Sequence, residues 1–178
     1  MAKKISITNN FPITNPVKTP ITNVLYVVDR SGSMRPYWQE TLNQLSGTLG
    51  HLKAEAAKTR QEVRVTVVAF SNSQTYVVSD VRVEALNVEA VVGKIPYPDG
   101  STALWKTVNE GVEALRLASS RRVAWADNVF LVNILTDGDN TDYPSTFQNA
   151  MVAAKDEWTF TAACPPGHAR SFRASGFD

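Results

Sequence analysis

The sequence predicts an α/β fold: a mostly parallel sheet with helices on both faces. Three observations predict it. Short, continuous apolar runs recur along the chain, amphipathic helical stripes separate them, and one pair of runs is joined by a connection short enough only for a hairpin. At 178 residues, with 43% hydrophobic and 20% charged residues, the chain is sized for about one domain of ordinary globular composition.

Residues 1–23 differ from the rest. Ile-Thr-Asn occurs at 7–9, 13–15 and 21–23, with Pro12, Pro16 and Pro20 interspersed, and the unequal spacing marks a biased segment rather than a repeat. Proline lacks a backbone donor and biases the residue before it toward extended geometry. The segment is expected to be an extended arm, with a short strand at Ile5–Thr8, that packs on the domain or docks on a neighbouring subunit.

The domain proper is expected over 24–178. Val24-Leu25-Tyr26-Val27-Val28 has no polar alternation, which suits a central strand covered on both faces. After a polar turn, Pro36 sits where a first helical residue belongs. Trp38, Leu42, Leu45, Leu49, Leu52 and Ala56 then form one helical stripe. Gly47 and Gly50 interrupt this helix at a cost of about 1 kcal/mol each relative to Ala, for which close packing is the expected reason. Val63–Phe70 reads as a second strand, Asn72-Ser73 as a turn, and Thr75–Val78 as a third strand antiparallel to the second. A short helix fits Val88–Val92, and Leu104, Val108, Val112 and Leu115 define the buried face of a longer one. Val129–Leu135 and Trp158–Cys164 are strands, with helices expected around 147–154 and 169–174.

Charge and cysteine content exclude several classes of function. Lys+Arg is 18 and Asp+Glu is 17, too balanced for a dedicated polyanion binder. The single cysteine, Cys164, cannot form an internal disulfide or a four-thiolate zinc site, and reads as apolar filler at a strand end. No apolar stretch follows the basic start, so no signal peptide is visible, and no run approaches the ~20 residues of a membrane span. A cytoplasmic or virion location is the expectation, without nucleic acid or membrane as partner.

Ligands of such sheets bind where loops leave the carboxyl ends of the strands, near a switch in strand order. Three loops qualify: Asp29-Arg30-Ser31-Gly32-Ser33-Met34, Asp99-Gly100-Ser101-Thr102 and Thr136-Asp137-Gly138-Asp139-Asn140. Asp29, Ser31 and Ser33 alternate in a tight loop around Gly32, and Thr102 and Asp137 can close a ring with them. Two carboxylates and three hydroxyls are hard oxygen donors, suited to Mg²⁺ or Mn²⁺ and not to zinc. Hydroxyls are neutral, so the ion would stay electron-poor, with a coordination position open to an exogenous carboxylate. Another protein's Asp or Glu is the expected guest. Arg30, Arg35 and Asp139 are candidate rim residues, and Asp99 is read as a turn former.

The Asp-x-Ser-x-Ser at Asp29, Ser31 and Ser33, the Thr102 of Gly-Ser-Thr-Ala-Leu and the Asp137 of Leu-Thr-Asp-Gly together resemble the metal-ion-dependent adhesion site of the von Willebrand factor A-like family, over about residues 22–175. The wording around Asp29 is more similar to bacterial and phage members than to extracellular animal ones. The resemblance implies a Rossmann-like sheet with an antiparallel edge strand and Mg²⁺ at its top, where protein partners bind. It also implies that Ser31, Ser33 and Thr102 touch the metal directly or nearly so, with Asp29 or Asp137 acting through water. The family usually carries a further strand and helix beyond 171–178, so that strand is expected to be missing or supplied by a partner, leaving Trp158–Cys164 as an edge prone to pairing.

Enzyme readings find little support. The Gly-x-Ser-x-Gly elbow and the phosphate-binding Gly-x-x-x-x-Gly-Lys-Ser/Thr loop are absent. A phosphoryl-accepting Asp29 would want a second Asp at position 31, which is Ser31. The expectation is a non-enzymatic, Mg²⁺-dependent interaction module. The alternative is a structural component of a larger assembly, such as a phage particle, that forms homo- or hetero-oligomers through the arm and the open sheet edge.

Overall fold

The computed structural model describes residues 20–122, 128–138 and 158–165. The expected short strand at 5–8 and the helices at 147–154 and 169–174 lie outside these residues, as does most of the arm.

Five strands form one sheet in the order β3-β2-β1-β4-β5. β1 (Ile21–Asp29) is central and parallel to both β2 (Glu62–Phe70) and β4 (Asn128–Leu135). β3 (Gln74–Arg82) is antiparallel to β2, and β5 (Trp158–Ala163) is parallel to β4. β1 begins at Ile21, paired with Glu62 and Asn128, so residues 21–23 lie in the sheet and not in the arm. β3 is longer than its polar sequence suggested. Its register shifts twice against β2, and Asp80 takes a left-handed φ of 53°. Such irregularities locally twist and bend an edge strand.

The continuous apolar run of β1 is explained by the two layers that cover it. Val24, Tyr26 and Val28 face one core with Leu45, Leu49 and Ala56 of α1 (Trp38–Thr59) and Val91 of α2 (Val88–Gly93). Leu25 and Val27 face the other, with Leu104, Val108, Val112 and Leu115 of α3 (Leu104–Ser120). A 3₁₀ segment, Gly32–Tyr37, precedes α1 and contains Pro36, so the α-helix proper starts at Trp38.

At the amino ends of the parallel strands a polar cluster closes the sheet. Asp80 accepts from Arg64 Nε at 2.8 Å and from Arg122, while Arg122 also donates to buried Asn23. Asn23 Nδ2 donates to Asn128 Oδ1 at 3.1 Å. The chemistry-bearing loops leave the opposite, carboxyl end.

Close packing does not explain the glycines of α1. A Cβ added at Gly47 or Gly50 meets nothing within 4 Å, and both positions are exposed. The close approach is at Gly111 of α3, where a Cβ would stand 2.7 Å from Leu25 Cδ2. Chemical denaturation should therefore separate these glycines. Gly47→Ala and Gly50→Ala should each stabilise by about 0.5–1 kcal/mol, whereas Gly111→Ala should destabilise by about 1–3 kcal/mol. A neutral Gly111→Ala would contradict the tight seating of α3.

Candidate metal centre

The chain passes from β1 to β2 on one side and later returns to β4 on the other, so the strand order reverses between β1 and β4. This switch opens a crevice at the carboxyl ends of β1 and β4. Asp29 ends β1 there, and Thr136-Asp137 follows β4.

Asp29 is fully buried, with 0% exposure. Its Oδ1 accepts from the Ser31 backbone N–H at 2.7 Å, a local Asx-type turn, and its Oδ2 accepts from Thr136 Oγ1 at 2.7 Å. Both donors are neutral. Thr136 is itself oriented, because its Oγ1 accepts from the Gly138 N–H at 3.1 Å and its N–H donates to Ala163 O at 3.2 Å. Burial pushes the Asp29 carboxyl up to about 6, and the negative charge of Asp137 adds to the rise. The hydrogen bonds from Thr136 and Ser31 oppose it.

The other loops are tied to this turn by backbone. Arg30 N–H donates to Phe70 O and Asp99 N–H donates to Arg30 O, both at 2.8 Å, while Gly32 N–H donates to Gly100 O at 2.9 Å. Gly100 has φ +81°, and a Cβ there would sit 2.1 Å from Asn72 Oδ1, so only glycine fits. That same Asn72 oxygen accepts from Ser101 N–H at 2.5 Å, and Ala103 N–H reaches Ser71 O at 3.2 Å. Thr102, between these anchors, is buried at 4%.

Ser31 Oγ and Ser33 Oγ lie 3.0 Å apart, with Ser31 buried and Ser33 exposed. The structure thus joins Asp29, Ser31 and Ser33 directly and sets the charge of Asp137 beside Asp29. Thr102 arrives on the loop that Gly100 fastens to Gly32. Arg35 donates to Pro98 O at 3.3 Å and lies 3.7 Å from Asp99, whose Oδ1 accepts from Gly100 N–H at 2.9 Å. Arg35 is therefore engaged with the second loop. Asp139 lies outside the described residues. Thr136 and Asn72 are positioning residues that motif reading passed over. Thr136 stands beside the motif Asp, and Asn72 was legible only as a turn former.

The donor set suits a hard divalent cation. Among the described residues, Asp29 has no cationic partner, and no group of three or more His, Cys, Asp or Glu forms a rival site. A cleft of about 440 Å³ opens beside Asp137, between Tyr37, Glu40 and Gln44 on one wall and Leu135, Ala163 and Cys164 on the other. Burial raises the Cys164 thiol, against a role as nucleophile. Trp38 and Trp105 are buried, as expected of core residues, and Tyr37 is exposed.

A profile of the von Willebrand factor type A domain matches residues 23–167. No curated protein matches. Among solved structures, a von Willebrand factor type A protein from Catenulispora acidiphila is 18% identical, covering 88% of this chain and 37% of that one, with a TM-score of 0.60. Proximal thread matrix protein 1 from the mussel byssus is 20% identical over 81% of this chain and 36% of its own, with a TM-score of 0.55. The conserved hypothetical protein BatB from Bacteroides thetaiotaomicron is 16% identical, covering 79% and 65%, with a TM-score of 0.55. At such identities the likeness is one of fold, and the chain spans little over a third of the first two.

The raised Asp29 value has a definite sign. The folded state favours the neutral acid, so stability contributed below the ordinary value of 3.8 is lost as pH rises through about 6. In EDTA, Asp29→Asn should match wild type near pH 4 and exceed it by about 1–3 kcal/mol at pH 7.5, measured by urea denaturation. A variant less stable than wild type at pH 7.5 would contradict an uncompensated buried charge.

Proposed function

This chain belongs to the von Willebrand factor type A domain family, and from that premise we propose that it is a Mg²⁺-dependent interaction module that captures a partner protein's carboxylate. Domains of this family are generally protein-interaction modules. The observation that carries the finer reading is Asp29: a fully buried carboxylate, hydrogen-bonded among the described residues to neutral donors, next to a second carboxylate and a pair of serine hydroxyls.

Ser31, Ser33, Thr102, Asp29 and Asp137 would hold the ion, Mg²⁺ or Mn²⁺, directly or through water. The bound ion supplies a Lewis-acidic point for an anionic oxygen. The chain's own part is preorganisation. Thr136 and the Ser31 amide hold both oxygens of Asp29, and the Gly32–Gly100 and Asp99–Arg30 bonds hold the loops in register. Neutral hydroxyls dilute the negative charge, so a partner's Asp or Glu completes the neutralisation.

The alternative is a structural role in a larger assembly. The mussel thread matrix protein shares the fold, and among the described residues β5 pairs on one side only. Light scattering with and without residues 1–20 separates the two readings, because an arm-independent monomer removes the assembly reading.

Calorimetry tests the metal. Wild type should give a saturable heat with Mg²⁺ and Asp29→Ala should give none; equal heats would end the reading. Thr136→Val, which removes the donor to Asp29 Oδ2 and the acceptor for the Gly138 N–H, should weaken Mg²⁺ about 10–100-fold.

A further inference from the structure

The arginines of this protein divide by how they are used. Arg35, Arg64, Arg82, Arg116 and Arg122 each lie against a carboxylate. Arg30, Arg60 and Arg121 form no ion pair among the described residues, and of these three Arg60 and Arg121 are exposed while Arg30 is not. Among the described residues its guanidinium makes one contact, a long 3.5 Å bond from Nη2 to Ser73 Oγ. Its Nε is sealed from solvent with no acceptor, and Arg30 as a whole is half-buried.

The position of this residue is fixed. Its N–H is bonded to Phe70 O and its carbonyl to Asp99 N–H, both at 2.8 Å, between Asp29 and Ser31 of the candidate metal centre. The contact with Ser73 places the guanidinium over the β2–β3 turn. The cleft at Tyr37 and Glu40 lies beside Asp137, on the β4–β5 side. A half-buried guanidinium without an acid is an incomplete interaction. Its planar fork suits a carboxylate better than any other protein acceptor.

Resting on the metal-dependent reading above, we propose that Arg30 is a second anchor, and that the partner is an acidic segment placing one carboxylate at the metal and another on Arg30. Charge complementarity supports this occupant. A partner with a single acid would leave Arg30 as poorly satisfied in the complex as it is alone.

The experiment uses the full chain and blocked synthetic peptides: a monoacid, Gly-Asp-Gly-Gly, and diacids with the second Asp adjacent, one or two residues away. Affinities are measured in Mg²⁺ and in EDTA, and the diacid-to-monoacid ratio is taken within each variant, so that a change in metal affinity cancels. Wild type in Mg²⁺ should prefer the best diacid about tenfold, and Arg30→Gln should reduce that preference below about threefold. Arg30→Lys, which keeps the charge, should retain part of it. Arg30→Met replaces Arg30→Gln should the amide disturb the turn. A diacid preference that survives loss of the guanidinium overturns this inference alone, leaving the metal-dependent reading intact. Monoacid binding that is unchanged by EDTA, or absent altogether, overturns that reading and this inference with it.

Discussion

A buried carboxylate without a cationic partner among the described residues ends the central strand, and the arrangement of the surrounding loops follows from it. Asp29 sits where the apolar run of β1 stops, paired with Phe70 of β2 and fully buried. An isolated charge in such a place is costly. The chain lowers the cost with two neutral hydrogen bonds, one from the next turn and one from Thr136 across the switch in strand order. The carboxyl nevertheless remains near 6. Among the described residues no cation offsets its charge, and this ties the architecture to the proposed chemistry.

The loops around Asp29 are coupled to one another rather than merely close. Gly100 bridges two of them: its carbonyl receives Gly32, and its left-handed backbone brings the next amide to Asn72. A substitution in the β2–β3 turn would therefore reach Thr102 through Ser71 and Asn72 without touching it. This backbone lacing lets hydroxyls from separate loops act together, since each is short and has little reach of its own.

Much of this was legible in the residues, and the exceptions have physical causes. β1 declared itself because a strand covered on both faces is apolar throughout, β2 by the alternation of Val63, Val65 and Val67 with Arg64 and Thr66, and β4 by the apolar run that starts at Val129. The helical stripe of α1 survived two glycines, yet the sequence could not say which glycine touches a neighbour: it is Gly111 against Leu25, not Gly47 or Gly50. The full length of β3 was hidden because an irregular edge strand follows no clean alternation. Asp29, Ser31, Ser33, Thr102 and Asp137 were readable as a spaced set of oxygens. Thr136 was not, because a threonine closing an apolar run looks like the end of a strand until the bond across to Asp29 is seen.

Among the described residues, the two borders of the sheet differ in character. β3 carries register shifts, a left-handed Asp80 bound by arginines, and Arg82 paired with Glu62 of β2, all of which discourage an incoming strand. β5, Trp-Thr-Phe-Thr-Ala-Ala, holds an unbroken register with β4 and carries no charge. Among the described residues, β5 is therefore the margin whose backbone is better suited to accept a further strand.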